Sequence, residues 1–379
     1  MKLIHLSDLH IGKRVNEFSM LEDQKYILAQ IFSIVKDEQP DGVILAGDIY
    51  DKTVPPAEAV QVFDHFLTEL SRLGTAVFLI SGNHDSAERL AFGSSLMRES
   101  RVFCAPVYDG NITSVCLEDS WGEVWIHLLP FLRPAAVRHV YENEPADTCE
   151  EAVATALSHL NPDPEKRNVL AAHQFVTGAA LSESEELAVG GLDQISAELF
   201  DPFDYVALGH IHSPQQVGRE TIRYCGTPLK YSFSEAGQQK SVTVVILREK
   251  GNIQIRTVPL KPLHDMRKLR GTYLEVTAKS FYEQFNREDY VQITLTDEED
   301  VPDGMQKLRV VYPNLMRLEY DNKRTREGRL IEAVEKLEEK SGLELFEEFY
   351  ELQNNSPMSE RQRSFAGKLM EEIDREREV

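Results

Sequence analysis

Cysteine is scarce in this chain of 379 residues, and no C-x-x-C pair occurs. The four cysteines are scattered at Cys104, Cys116, Cys149 and Cys225. A disulfide framework or a structural zinc site needs clustered thiols, so both are disfavoured and the cysteines are predicted to be reduced. The sequence also lacks the run of about 18 apolar residues that a membrane-spanning helix needs. Because the N-terminus does not have the layout of a secretory signal, we expect a cytoplasmic protein.

Positive charge is in short supply. Lysine and arginine number 41 against 63 aspartates and glutamates, which gives a formal net charge of -22. A protein that binds nucleic acid mainly through a basic surface relies on clustered lysine and arginine, so that mode of binding is disfavoured. A composition of 42% hydrophobic and 27% charged residues is typical of a folded protein, and the length indicates two to three domains.

Short apolar runs alternate with helical stretches in the first part of the chain. This alternation predicts a layered α/β domain in which helices cover packed sheets. Beyond Pro262 the pattern changes to that of a small mixed domain with an acidic turn at residues 297–304. The predicted strands span residues 2–6, 42–46, 76–81, 168–173, 205–208, 222–225, 241–248, 271–277, 290–295 and 308–318. The first predicted helix spans residues 23–36, and the second is indicated by the helical spacing of Val60, Phe63, Leu67 and Leu70.

The C-terminal tail is predicted to form two short amphipathic helices. The second begins at Ser359, with Gln362 at the spacing of a capping box. Two such helices cannot bury their apolar faces completely in each other, so docking on the parent domain or on a partner remains open from the residues alone. The apolar faces comprise Leu345, Phe346, Phe349, Tyr350 and Leu352 in the first helix, and Phe365, Leu369, Met370 and Ile373 in the second.

Polar side chains follow five of the predicted strands. Because the carboxyl ends of strands in an open α/β sheet meet at one crevice, we expect these side chains to converge. Asp8 and His10 are two residues apart, so an extended backbone would point both to the same side. The blocks are Asp8-Leu9-His10, Gly47-Asp48-Ile49-Tyr50-Asp51, Gly82-Asn83-His84-Asp85, His173, and Gly209-His210-Ile211-His212.

This set of ligand types predicts a metal centre. Carboxylate, amide oxygen and imidazole without thiolate suit Mn²⁺, Fe²⁺ or Zn²⁺ in a catalytic site. The ligands are too many for one ion, and two ions about 3.5–4 Å apart need a bridging carboxylate, for which Asp48 is the candidate. Two dications contribute about +4, which exceeds the charge of Asp8, Asp48 and a hydroxide, so the centre would attract phosphate despite the acidic chain.

In this order, the five blocks resemble those of the calcineurin-like metallophosphoesterases. The resemblance implies a four-layer β-sandwich flanked by helices. It also implies that His84 is the catalytic histidine at the scissile phosphate, that Asp85 orients the ring of His84, and that Asp51 has at most a supporting role. The implied ligands are Asp8, His10, Asp48 and His212 for one metal ion, and Asp48, Asn83, His173 and His210 for the other.

Residues 7–13, 209–215 and 226–235 resemble more specifically the D subunits of bacterial SbcCD nucleases, and the likeness extends over nearly the whole chain. It implies a nuclease domain at residues 1–262, a DNA-facing capping domain at 263–325, and C-terminal helices at 326–379. The helices would bind the coiled-coil base of the SMC-like ATPase SbcC, in a two-plus-two heterotetramer that contains a homodimer of this chain.

The implied activity is Mn²⁺-dependent hydrolysis of DNA phosphodiesters by a hydroxide that two metals activate. It comprises an ATP-dependent double-strand exonuclease and a single-strand and hairpin endonuclease, acting in DNA repair, recombination and replication at the nucleoid.

Contacts to the substrate are less strongly indicated by the sequence. Lys13 and Arg14 follow the first ligands and are predicted to meet a phosphate, with a solvated loop as the alternative. Alternating aromatics in a strand more often belong to the core, which favours burial of Tyr231 and Phe233. The alternative is that Lys230, Tyr231 and Phe233 line a groove where an unpaired base stacks.

Two other functions are weighed against the nuclease. A small-molecule phosphoesterase would use the same metals, but it needs neither the capping domain nor the apolar terminal helices. A non-catalytic scaffold would tolerate loss of His84 and the ligands, which are all present.

Overall fold

The computed structural model describes residues 1–185, 193–323, 346–347, 350, 358–359 and 362–367. The strands are β1 (Lys2–Leu6), β2 (Arg14–Val15), β3 (Phe18–Ser19), β4 (Gly42–Ala46), β5 (Ala76–Ile80), β6 (Val102–Ala105), β7 (Thr113–Asp119), β8 (Gly122–Leu129), β9 (Arg167–His173), β10 (Phe175–Val176), β11 (Gln194–Ile195), β12 (Tyr205–Gly209), β13 (Gln215–Val217), β14 (Arg219–Tyr224), β15 (Ser241–Leu247), β16 (Ile253–Pro259), β17 (Met266–Gly271), β18 (Tyr290–Leu295) and β19 (Leu315–Tyr320).

The α-helices are α1 (Leu21–Glu38), α2 (Ala57–Arg72), α3 (Ala87–Leu90), α4 (Ser94–Met97), α5 (Pro134–Val140), α6 (Cys149–Ser158), α7 (Tyr273–Val276), α8 (Lys279–Tyr282) and α9 (Gly304–Arg309). Short 3₁₀ turns lie at Arg98–Ser100, Ala197–Phe200 and Phe233–Glu235. Among the helices of the described residues, none is both long and apolar enough to cross a membrane.

Two six-stranded sheets pack face to face. The first has the strand order β16-β15-β1-β4-β5-β6, in which β1, β4, β5 and β6 are parallel. The second has the order β13-β14-β12-β9-β8-β7, in which β14, β12, β9 and β8 are parallel. The central strands β4, β5 and β12 are buried on both faces and are apolar without interruption, as is typical of parallel strands inside a layered domain. The predicted arrangement of packed sheets with helices on their faces is confirmed.

Three layers of apolar contacts hold the four structural layers together. Between the sheets, Phe78 and Ile44 of the first sheet belong to the same buried cluster as Ile126 and Tyr205 of the second. On the outer face of the first sheet, the apolar stripes of α1 and α2 pack in a second cluster. On the outer face of the second sheet, α6 packs in a third cluster. This layering leaves the strand ends as the place where loops from both sheets meet.

A three-stranded parallel sheet, β17-β18-β19, follows the sandwich and has a buried core of its own. The predictions for this region are partly wrong. Residues 271–277 do not form a strand, because Thr272 and Glu275 make a capping box that starts α7. Residues 308–318 are divided between the end of α9 and β19.

The first turn of α1 contacts both the small sheet and a loop of the sandwich. The Asp23 carboxylate accepts hydrogen bonds from Tyr290 Oη at 2.7 Å and from His264 Nδ1 at 3.0 Å. The neighbouring Gln24 donates from Nε2 to the carbonyl of His10 at 2.7 Å. Two adjacent side chains thus tie the small sheet and the loop after β1 to one helical turn.

Only parts of the C-terminal tail are among the described residues. The predicted capping box is confirmed, since Ser359 N donates to Gln362 Oε1 at 2.9 Å and Gln362 N donates to Ser359 Oγ at 3.4 Å. Gln362 Nε2 also donates to Tyr350 Oη at 2.7 Å. The predictions for Leu345, Phe349, Leu352, Leu369, Met370 and Ile373 fall outside the described residues.

Candidate metal centre

All seven side chains that were predicted as metal ligands meet at one edge of the sandwich, where strands of both sheets end. Six are buried and Asn83 is half-buried. The members, with the strands that precede or contain them, are Asp8 and His10 (β1), Asp48 (β4), Asn83 (β5), His173 (β9), and His210 and His212 (β12). Three groups each have ligand atoms within 4.8 Å of one another, namely Asp8, His10 and His212; His10, Asp48 and His84; and Asp8, Asp48 and His173.

Asp48 lies between two sets of ligand atoms. On one side, its Oδ2 is 3.3 Å from His173 Nε2. That nitrogen is 3.0 Å from Asn83 Oδ1, and His210 Nδ1 is 2.9 Å from the same oxygen. On the other side, Asp48 Oδ2 is 3.7 Å from His10 Nε2. A carboxylate with neighbours on both sides is geometrically suited to bridge two ions.

The backbone of the centre is unusual at four of these seven residues. Left-handed conformations at residues with a Cβ cost roughly 1–3 kcal/mol each and persist where the surroundings fix them. Here the N–H of Asp8 donates to the carbonyl of Gly47, and the N–H of His10 to that of Asp48, both at 3.0 Å. Asp8 and His10 therefore enter the centre through left-handed turns and not through the extended backbone expected from their spacing. The φ angles are 53° at Asp8, 45° at His10, 50° at Asp48 and 104° at His210.

Glycines next to the ligands allow the loops to approach closely. A Cβ at Gly82 would lie 2.1 Å from Asp48 Oδ1. A Cβ at Gly209 would lie 1.9 Å from the carbonyl oxygen of Ala46. Both distances are far below van der Waals contact, so only glycine fits at positions 82 and 209, where the chain passes close to neighbouring loops and strands.

Burial and mutual attraction set the protonation of the centre. Burial raises the pKa of Asp8 to about 7 and lowers the pKa of His210 to about 3. Between Asp48 and His173, burial is opposed by the attraction of the two charges, which raises the pKa of His173 to about 9 and holds that of Asp48 well below its usual range.

The donor set fits divalent cations. His10 Nδ1 is a buried nitrogen that makes no hydrogen bond to the described residues, and His10 Nε2 lies 3.1 Å from His212 Nε2. Carboxylate, amide oxygen and imidazole are ligands that Mn²⁺, Fe²⁺ and Zn²⁺ accept. Ions of this kind supply the positive charge that buried carboxylates need.

The prediction for Asp85 is wrong. Its carboxylate accepts hydrogen bonds from the backbone N–H groups of Ile49 at 3.1 Å, Tyr50 at 3.0 Å and Gly82 at 3.0 Å. The ring of His84 is held instead through Nδ1, which lies 3.1 Å from the carbonyl oxygen of Asp51. A buried carboxylate requires several donors, and the loop amides provide them. Asp85 therefore fixes the loops after β4 and β5 to each other.

Comparison with known proteins agrees with this geometry. Residues 1–214, more than half of the chain, match the model of the calcineurin-like phosphoesterases. The chain belongs to this family. It is accordingly a metal-dependent phosphoester hydrolase, and its centre is suited to two divalent ions. Residues 262–354 match the SbcD C-terminal model, described as the type 5 capsule protein repressor C-terminal domain.

Two solved structures illustrate the proteins to which this phosphoesterase has some likeness. A dimetal phosphatase from Danio rerio has 11% sequence identity and a TM-score of 0.43, and the match covers 69% of this chain and 98% of that one. The protein TT1561 of Thermus thermophilus has 13% identity and a TM-score of 0.40, with 68% and 98% covered.

The residues predicted to contact the substrate of the phosphoesterase are mostly engaged within the chain. Lys13 Nζ pairs with Asp51 Oδ1 at 2.7 Å. Lys230 Nζ pairs with Asp265 Oδ1 at 2.8 Å. Arg14 is exposed and donates to the carbonyl of Glu17.

The stacking alternative for Tyr231 and Phe233 is wrong and the favoured burial is confirmed, because both rings lie in the core of the sandwich. Tyr231 Oη donates to the carbonyl of Leu9 at 2.6 Å and accepts from Gln24 Nε2 at 2.9 Å. Tyr231 thus supports the loop that carries Asp8 and His10.

Several residues at the centre were missed in the sequence. Phe131 follows β8 at the same edge, and its ring is stacked with that of His210 at a centroid distance of 6.4 Å. The guanidinium of Arg133 lies 6.0 Å from the centre of the Phe131 ring. The sequence signal that could have identified both residues is their position just after β8, a strand that is followed by no metal ligand. Ser184, Glu185 and Lys240 contact His212, and nothing in their sequence spacing indicates this.

Proposed function

We propose that this chain is the nuclease subunit of an SbcCD-type complex and hydrolyses the phosphodiester bonds of DNA with two Mn²⁺ ions. The observation that carries the proposal is the convergence of seven ligand side chains, six of them buried, with His84 beside them. The match of residues 262–354 to the SbcD C-terminal model supports a nuclease over other phosphoesterases. The proposed activities are an ATP-dependent double-strand exonuclease and a single-strand and hairpin endonuclease in DNA repair, recombination and replication.

The proposed roles of the site residues follow their positions. Two divalent ions bound there would neutralise phosphate charge and lower the pKa of the attacking water. His84 keeps a proton on Nδ1, because its partner, the carbonyl of Asp51, can only accept. Its Nε2 is then the nitrogen that, when protonated, contacts the scissile phosphate and gives its proton to the leaving oxygen. The proposed ligand sets are Asp8, His10, Asp48 and His212, and Asp48, Asn83, His173 and His210.

The proposed division of the chain is a nuclease domain at 1–262, a capping domain at 263–325 and ATPase-binding helices at 326–379. The small sheet β17-β18-β19 lies within the second range. In the tail, Phe365 is 67% exposed, and we place the proposed partner contact at this side chain. The proposed homodimer would pack through helices of the core; a groove of about 500 Å³ between α1 and α2 is lined in part by Leu28 and Phe32.

A hydrolase of small phosphoesters is the alternative function. It is favoured by one observation, namely that Lys13, Lys230 and Tyr231 are engaged within the chain and leave fewer contacts for DNA. Both functions use the same metal centre, so they differ in substrate and partner and not in chemistry.

A paired assay tests the proposal. The protein is supplied with Mn²⁺ and given either a hairpin or linear DNA duplex, or a chromogenic phosphodiester, each with and without the partner ATPase and ATP. We expect DNA cleavage that rises with the ATPase and ATP. Turnover of the small ester with intact DNA in every condition would assign the function to the alternative. Replacing Mn²⁺ by Zn²⁺, Fe²⁺ or Mg²⁺ in the same assay tests the identity of the metal.

The His84→Ala variant tests the role of the histidine. We expect kcat on the small diester to fall by about 10²–10⁴-fold, the usual contribution of a proton donor, while two ions remain bound. Metal content measured on the purified variant provides the second readout, with the exposed His139→Ala as the control. Loss of an ion would make His84 a ligand, which its grouping with His10 and Asp48 also permits.

A further inference from the structure

His212 is held at three points by residues outside the predicted ligand set. Ser184 Oγ lies 2.6 Å from His212 Nδ1. The backbone N–H of His212 donates to Glu185 Oε1 at 2.7 Å. The backbone carbonyl of His212 accepts from Lys240 Nζ at 2.8 Å. Contacts at the ring, the amide and the carbonyl leave this residue a single orientation.

Glu235 is the common partner of Ser184 and Lys240. Its side chain is fully buried, and its Oε2 pairs with Lys240 Nζ at 2.6 Å. Ser184 Oγ donates to Glu235 Oε1 at 2.7 Å. Lys240 uses its remaining protons on the carbonyl of His212 and on Gln238 Oε1, the latter at 2.9 Å. Buried charges are stable only when they are paired and hydrogen-bonded, and these contacts meet that requirement for Glu235 and Lys240.

The direction of the hydrogen bonds fixes the tautomer of His212. A carboxylate that is paired with an ammonium can only accept, so Ser184 donates its single proton to Glu235. The Ser184 oxygen then accepts from His212, which places the ring proton on Nδ1. The lone pair of Nε2 is left free, and this is the nitrogen that lies 3.1 Å from His10 Nε2. His212, His10 and Asp8 form one of the groups that can hold an ion.

We propose that Ser184 and Glu235 are positioning residues of the metal centre, and that they act through His212 by holding Nε2 unprotonated and aimed at the ion. This inference rests on the proposed role of His212 as a ligand. Partners that orient a ligating histidine typically contribute 10–100-fold to metal affinity. The serine lies between the carboxylate and the imidazole, so its hydroxyl is the element that can be removed without unpairing the buried charges.

Three variants separate positioning from general stability. Ser184→Ala removes the hydroxyl that connects Glu235 to the ring of His212, and Ser184→Thr retains a hydroxyl at this position. Ser232→Ala is the matched control, because Ser232 Oγ donates to the same Glu235 oxygen at 2.9 Å but has no bond to His212 among the described contacts. In calorimetric titrations with Mn²⁺ alone, we expect Ser184→Ala to weaken one of two sites by about 10-fold or more. Ser184→Thr and Ser232→Ala should bind like the wild type.

Nitrogen NMR of the metal-free protein, labelled with ¹⁵N-histidine, gives a second readout that does not depend on bound metal. The wild type should show His212 with its proton on Nδ1, and Ser184→Ala should show a mixture of tautomers. Wild-type affinity in Ser184→Ala, equal losses in Ser184→Ala and Ser232→Ala, or an Nε2 proton in the wild type would overturn the positioning role. A wild type that shows the Nδ1 proton but binds no Mn²⁺ would instead refute the proposed metal centre.

Discussion

Arg133 places a cation at the solvent side of the metal centre. The residue is exposed, and its guanidinium lies over the ring of Phe131, which is in turn stacked with His210. Stacking on a ring restricts a guanidinium without using its donors, which stay available for a phosphate. Arg133 is therefore positioned to contact a phosphate group near the metal centre, which in the proposed nuclease would belong to the DNA backbone.

The Arg133→Ala variant should bind DNA more weakly and depend less on salt. Loss of one phosphate contact reduces the slope of log K against log[salt] by about 1. Binding is measured in the His84→Ala background, so that the DNA is not cleaved. Arg138→Ala, whose side chain is 48% exposed and pairs with Asp147, is the control. An unchanged slope would remove Arg133 from the DNA interface.

His5 is buried far from solvent and links the two sheets. Its Nδ1 lies 2.9 Å from Tyr205 Oη, and its Nε2 lies 3.2 Å from the carbonyl of Leu208. Burial lowers the pKa of His5 from 6.5 to about 3. The unfolded chain therefore binds a proton between these values and the folded protein does not.

The free energy of unfolding should consequently fall as the pH drops from 6.5 towards about 3. One proton bound only by the unfolded state produces a slope of about 1.4 kcal/mol per pH unit. Urea unfolding of the wild type and of His5→Gln at several pH values isolates this contribution from those of other groups. The slope should be smaller in His5→Gln, and equal slopes would show that His5 is protonated in the folded protein.

The ends of the strands carry the chemistry, and the glycines beside them set how closely the loops approach. Gly82→Ala tests this, since the new Cβ would lie 2.1 Å from Asp48 Oδ1 and must displace that carboxylate. We expect affinity for Mn²⁺ to fall by about 10-fold or more, as for other losses of ligand orientation. Circular dichroism monitors folding. Gly237→Ala is the control, because a Cβ there meets nothing within 4 Å, and a similar loss in this variant would contradict the steric explanation.

The strands themselves were predictable because buried parallel strands are continuous apolar runs. Residues 2–6, 42–46 and 290–295 match β1, β4 and β18 to the residue. The strand predicted at residues 271–277 failed because local side-chain capping by Thr272 outweighed its β-forming residues. Contacts such as that between Ser184 and His212, 28 residues apart, depend on how loops fold over the sheet, and periodicity carries no information about them.

The whole molecule is strongly acidic, with a formal net charge of -22. Long-range attraction of DNA by this charge is unfavourable, so a cationic centre and a DNA-binding partner are needed for the proposed activity. The proposal places the partner at the tail, where Phe365 is 67% exposed.

Phe365→Glu should weaken the complex with the partner ATPase and leave hydrolysis of a small diester unchanged. A buried aromatic contributes strongly to an interface, and a charge in its place is costly. Affinity is measured by surface plasmon resonance against the ATPase. Leu274→Glu is the control, because Leu274 is a similarly exposed apolar residue, 79% exposed, that lies in α7 and not in the tail. Equal binding by Phe365→Glu and the wild type would place the partner elsewhere.

The first turn of α1 contacts both the small sheet and the loop that carries His10. Asp23 anchors the small sheet through Tyr290 and His264, while Gln24 anchors the backbone of His10. A partner that exerted a force on the small sheet would transmit it to the same helical turn that holds the backbone of His10, a proposed metal ligand. A force on the small sheet and the geometry of the proposed metal centre are thus coupled through two consecutive side chains.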